Sequence, residues 1–144
     1  MLLEGRTCKE IGQILGYTTA AITAYAKRKF KAESMILWSA EIKKVGVCEI
    51  PGCFRTEKLQ GHHLLEKTVW THLSRDLTNG ICLCSHHHKW SLDISPHGVL
   101  PAVLAFFKFI VAERVGVLVW YEEHKHDEKY QDFDYEAAYH ELSK

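Results

Sequence analysis

The chain of 144 residues has no surplus of either charge, because 18 Lys and Arg offset 18 Asp and Glu. Overall charge therefore gives no sign of a polyanionic partner. It also has no long uncharged apolar run. The longest candidate, Val99 to Val119, is broken by Lys108, Glu113 and Arg114, which excludes a membrane span. Met1-Leu2-Leu3 is followed at once by Glu4 and Arg6, so no signal peptide is expected. The five cysteines are odd in number and have no secretory-type spacing, which excludes a disulfide framework. These absences predict a cytoplasmic protein with reduced, metal-binding cysteines and no membrane partner. A chain of this length makes one domain or two very small ones, and small modules commonly add a structural metal to a modest core.

Ligand-type side chains are plentiful between Gly61 and Trp90, GHHLLEKTVWTHLSRDLTNGICLCSHHHKW. A histidine pair comes first, and a cysteine with three consecutive histidines closes the stretch. Upstream lie Cys48 and Cys53 in CEIPGC. Thiolate and neutral imidazole bind borderline-soft metals, and two such clusters tens of residues apart close tetrahedral zinc sites in small folds. One zinc cannot use all these groups, which points to a structural metal beside a working site. Pro51-Gly52 predicts a turn that aims Cys48 and Cys53 at one ion. Cys82 and Cys84 share a strand face, and Cys84 has the better spacing to His87. Cys82 is the rival ligand or a buried core thiol. His86 and Trp90 are expected to flank the site, with Trp90 filling core, and Cys8 to be a small core residue.

From Trp38 to Leu92 this arrangement resembles the HNH nucleases of the ββα-metal class. Trp38 and SAEIKKVG lead into the first cysteine pair, LQGHHLL matches the strand with paired histidines, and NGICLCSHHHKW matches the asparagine, strand and closing ligands. The resemblance implies an α+β fold with a ββα-metal (HNH) core and a structural zinc, preceded by a helix-turn-helix unit and followed by C-terminal helices. It implies that Cys48, Cys53, Cys84 and His87 hold the Zn2+, that His62 and His88 bind a catalytic Mg2+, Mn2+ or Ni2+, that His63 is the general base and that Asn79 fixes it. It further implies DNA as substrate, with 5′-phosphate and 3′-hydroxyl products, as in phage-encoded or mobile-element enzymes. Two departures stand out. Four residues separate Cys48 from Cys53, so the knuckle turn must be wide. Leu92 stands where many relatives have another ligand, leaving water or Asp93 to complete the catalytic metal.

The chemistry suits these residues. A neutral imidazole takes a proton from water near neutral pH, and a divalent ion neutralises charge on the phosphate and the leaving oxygen. Adjacent strand residues point to opposite faces, so His62 and His63 need a twist or bulge to serve one site.

Three segments are expected. Residues 1–33 resemble a helix-turn-helix, with a Thr7/Glu10 capping box and a stop at Gly16. Ile11, Ile14, Leu15, Ile22, Tyr25 and Ala26 should be its apolar positions. Thr19 and Thr23 would meet DNA bases, and Lys27, Arg28 and Lys29 its phosphates. Met1 to Lys44 carries eight basic and four acidic residues, against three and eight from Tyr121 to Lys144, which suits a DNA-binding front and a tail turned away. Residues 34–97 form the nuclease core, beginning after a joint at 32–34 with a helix from Met35 to Val45. Its two strands run from Leu59 to Leu65 and from Gly80 to Leu83. Between them, Lys67, His72 and Arg75 in the long loop would contact the DNA backbone. Residues 98–144 form helices. The first carries Val103, Leu104, Phe107, Ile110 and Val111 at helical spacing, Val117 to Tyr121 is either strand or helix, and the last carries Phe133, Tyr135 and Tyr139. These aromatic stripes read as core or as the face of a homodimer. The competing reading is a non-catalytic zinc-containing DNA-binding or assembly protein with a degenerate HNH fold.

Overall fold

The computed structural model describes residues 5–127 and 134–144. The expectations placed on Met1-Leu2-Leu3 and Phe133 fall outside these residues. The described residues form helices and a single two-stranded antiparallel sheet, an α+β architecture. No described helix is long and apolar enough to cross a membrane. The chain divides into two compact units, Met1–Leu37 with Asp134–Lys144, and Trp38–Phe133.

In the first unit, α1 (Cys8–Leu15) opens on the predicted capping box. The Thr7 side chain accepts from the Glu10 N–H, and the Glu10 carboxylate accepts from the Thr7 N–H. Gly16 ends α1 in the left-handed conformation, and α2 (Thr19–Lys43) follows after a tight turn. Ile11 and Ile22 are buried where the two meet, but Ile14, Leu15 and Tyr25 are more than half exposed, contrary to expectation. A short helix crossing a long one has a single line of contact, and side chains beyond it face solvent. The expected joint at 32–34 is also absent. No Gly or Pro interrupts the run, Ser34 donates to the Lys31 carbonyl, and α2 continues through to Lys43. Helix α5 (Tyr135–Leu142), capped by Asp134, completes the unit with Tyr139 tilted against Phe30 at 5.5 Å.

In the second unit, β1 (Leu59–His63) pairs with β2 (Gly80–Cys84), with Leu59 opposite Cys84, His62 opposite Ile81 and His63 opposite Gly80. β1 is thus two residues shorter than expected and β2 one longer. β2 is buried along its length, and Ile81, Leu83, Ile50, Phe106 and Ile110 form the core. Gly80 allows α2 close to the sheet, since a Cβ there would lie 2.1 Å from Ile42 Cδ1. A π-helical turn, His86–Trp90, follows β2 directly. Then come α3 (Leu100–Glu113) and α4 (Val115–His124), so Val117 to Tyr121 is helical. In α3 the inward stripe is Ala102, Phe106 and Ile110, while Leu104, Phe107 and Val111 are exposed. Apolar residues all round a helix leave the buried face undetermined by periodicity. Arg114 pairs with Glu49, whose carboxylate also accepts from the Cys82 N–H at 2.6 Å.

Candidate metal centres and the histidine cleft

Two groups of metal-ligand side chains converge in the second unit. In the first, the ligand atoms of Cys48, Cys53, Cys84 and His87 lie within 4.8 Å of one another. The wide knuckle is closed by two backbone bonds. Cys53 N–H donates to the Ile50 carbonyl at 2.9 Å around Pro51-Gly52, and Cys48 N–H donates to the Arg55 carbonyl at 2.9 Å. Gly52 has φ 76°, the left-handed position that a turn of this kind gives to glycine. His87 Nδ1 sits 3.5 Å from both Cys48 Sγ and Cys84 Sγ. Burial pushes the Cys48 thiol up to about 11. Burial also opposes ionisation of Cys84, but the His87 backbone and its Cys48 and Cys53 neighbours outweigh it and hold that thiol below its usual value. Three thiols and an imidazole form a donor set that suits a metal such as zinc. Cys82 is fully buried outside the cluster, its thiol raised by burial.

The second group is His62, His88 and His97, whose ligand nitrogens also lie within 4.8 Å of one another. His62 Nδ1 and His88 Nε2 are 3.2 Å apart. One ion with bonds of about 2.1 Å spans such a pair at an angle of about 100°. Burial, then the neighbouring histidines, lowers His62 to about 3. Burial, then His97 and Lys89, lowers His88 to about 4. Both rings are therefore neutral near pH 7, with lone pairs ready for a cation. The three imidazoles thus fit a divalent metal.

His97 was not singled out by sequence reasoning. It follows a turn, nine residues after His88, with no familiar spacing. Its place is set by Ser95, which is fully buried. The Ser95 hydroxyl donates to the His88 carbonyl at 3.2 Å and accepts from the His97 N–H at 3.3 Å. Leu92 is 72% exposed. Asp93 is exposed too and does not join the histidines. Trp90, expected in the core, is 72% exposed.

His63 leaves the sheet on the opposite side from His62. Its ring stacks on Trp38 at 3.8 Å, and its Nε2–H donates to the Ser74 carbonyl at 2.9 Å. Burial lowers its pKa, with Lys67 and Arg75 adding to the effect and Ser74 opposing it. The expected partner, Asn79, lies elsewhere. It is fully buried, its Oδ1 accepts from the Leu65 N–H at 2.7 Å, and its Nδ2 donates to the Leu65 and Leu73 carbonyls. Asn79 thus holds the loop that carries Ser74, and Ser74 holds the ring. Trp38 assists by donating from Nε1 to the Asp76 carbonyl at 2.9 Å.

Both histidines nevertheless line one cleft of about 730 Å³, together with His88, His97, Lys67 and Lys89. Of the loop residues expected on DNA, Lys67 is exposed at this cleft. Arg75 is buried against Ser74, and His72 is buried near the His124 carbonyl. In the first unit Thr19, Thr23, Lys27 and Arg28 are exposed along α2, and Lys29 lies 3.7 Å from Glu33. Compared with protein-family models, curated proteins and solved structures, the chain matches none.

Proposed function

We propose that this chain is an HNH-type endonuclease that hydrolyses phosphodiester bonds in DNA, with a structural Zn2+ on Cys48, Cys53, Cys84 and His87. The observation that carries this reading is the adjacency of two unlike histidines at one cleft. His62 belongs to a three-imidazole cluster, and His63 is held through Nε2 by a backbone carbonyl. With Nε2–H engaged, the lone pair of His63 lies on Nδ1, and burial keeps it unprotonated. Nδ1 would take the proton from the attacking water. His62, His88 and His97 would hold Mg2+, Mn2+ or Ni2+, which when bound supplies positive charge at the scissile phosphate and leaving oxygen. Lys67 and Lys89 at the cleft face the same negative charge. In the first unit, Thr19, Thr23, Lys27, Arg28 and Lys29 would hold DNA in the manner of a helix-turn-helix. Leu92, standing where many relatives have another ligand, favours the non-catalytic alternative; on the nuclease reading His97 would offer an imidazole nitrogen in its place.

A plasmid-nicking assay with each of the three metals tests the reading. His63→Ala should cut about a hundred-fold more slowly or worse, with metal content and DNA binding retained. Full activity in His63→Ala, or no cutting by the unaltered chain with any of these ions, overturns it.

A further inference from the structure

The loop from Phe54 to Lys58 joins the cysteine knuckle to β1, and none of the chemistry above uses it. Its backbone is fixed at both ends. The Arg55 carbonyl accepts from the Cys48 N–H at 2.9 Å, and the Lys58 carbonyl accepts from the Ser85 N–H at 3.1 Å. Lys58 has φ 51°, the one non-glycine residue with positive φ among those described. Residues with a Cβ seldom hold that conformation unless the surroundings impose it, and such positions cluster where side chains must be aimed.

The side chains of this rigid loop are turned outward. Phe54 is 87% exposed, the most exposed large apolar residue among those described. Arg55 and Lys58 are exposed and have no ion-pair partner among the described residues. With Thr56, Ser85 and one carboxylate, Glu57, they line an open groove of about 460 Å³ whose floor includes Cys84. An exposed Phe alone would mean little. A loop held at both ends that presents a ring beside two cations and two hydroxyls in one groove has the composition of a single-strand nucleic-acid contact, in which bases stack on aromatics and cations follow the phosphates.

We propose that this groove is a nucleotide subsite. An unpaired base stacks on Phe54, and Arg55 and Lys58 hold the flanking phosphates. The proposal rests on the nuclease reading for the identity of the ligand. Strand β1 leads from Lys58 toward His62, four residues on, or about 13 Å at 3.3 Å per residue. A strand held at the histidine cleft therefore reaches the groove within a few nucleotides. The subsite selects substrates with an unpaired segment beside the cut, because paired bases offer Phe54 no free face.

The test is binding of a labelled single-stranded oligothymidine and of a blunt duplex, measured by fluorescence anisotropy in a His63→Ala background that slows cutting. Phe54→Ala should weaken single-strand binding about ten-fold and leave the duplex nearly unchanged, and Phe54→Trp should restore it. Arg55→Gln with Lys58→Gln should lower the salt slope for the single strand by about 1.4. Retained metal content shows that each variant is folded. Unchanged affinity in Phe54→Ala, equal losses for single strand, duplex and heparin, or no oligonucleotide binding at all overturns the subsite. A chain whose binding depends on Phe54 but which cuts nothing sinks the nuclease reading alone. A chain that cuts but is indifferent to Phe54 sinks the subsite alone.

Discussion

Neighbouring histidines on one strand meet different surroundings because successive side chains leave a strand on opposite faces. His62 enters a cluster of imidazoles, and His63 stacks on Trp38. The same logic, applied to a hydroxyl, gives Ser95 its importance. One buried oxygen ties the backbone of His88 to that of His97, so it sets the separation of two would-be ligands. Ser95→Ala should weaken metal binding at the histidine cluster about ten-fold, and His97→Ala more. Asp93→Ala should leave it unchanged. Cobalt titration, followed by the visible absorption of the histidine centre once the cysteine centre is filled, separates these variants. A loss in Asp93→Ala equal to that in His97→Ala would show that the ligand assignment is wrong.

At the scale of elements, the close approach of α2 to the sheet orients the His63 ring. Trp38 both stacks on His63 and donates to the loop at Asp76. That approach requires Gly80, where a Cβ would meet Ile42 Cδ1 at 2.1 Å and Trp38 Cζ2 at 3.0 Å. Gly80→Ala should therefore cost about 1–3 kcal/mol of stability, the range for overpacking a core, as read by denaturant unfolding. Because Trp38 would have to shift, on the proposed nuclease reading it should also slow cutting even where the chain remains folded. Much of this layer was legible in sequence. The capping box at Thr7 and Glu10 and the turn at Pro51-Gly52 are local patterns with local causes; the hairpin positions were implied by the family resemblance and hold to within two residues. The continuity of α2 was less so, because the short polar run at 32–34 looks like a joint but contains no residue that stops a helix.

For the second unit as a whole, the cysteine centre draws on the knuckle, on the end of β2 and on the π-helical turn, so a metal there would clamp three segments at once. The small core around Ile81, Leu83 and Phe106 sits directly on this centre. Cys48→Ser and Cys84→Ser should each release the tightly held metal and lose the cooperative unfolding of this unit, as should exhaustive chelation, since binding free energy at such a site is folding free energy. Cys82→Ser should keep the metal and lose only about 1–3 kcal/mol from burying a hydroxyl. Metal analysis beside thermal unfolding distinguishes the two outcomes, and metal loss in Cys82→Ser would reverse the assignment of that thiol.

The sequence by itself determined the ligand inventory, the capping box and the knuckle turn, because these follow from residue type and short-range spacing; the grouping of Cys48 and Cys53 with Cys84 and His87 was what the family resemblance implied, with Cys82 left as a rival, and the fold brings those four together. Tertiary structure alone decided which long-range neighbours complete each site. His97 reaches His62 and His88 through a turn held by a buried serine. The Ser74 carbonyl holds the His63 ring while Asn79 holds the loop behind it. Arg75 turns inward although its composition suits the surface. Each of these outcomes depends on where a chain reversal places a backbone carbonyl or a ring in space, and residue spacing along a loop does not encode that.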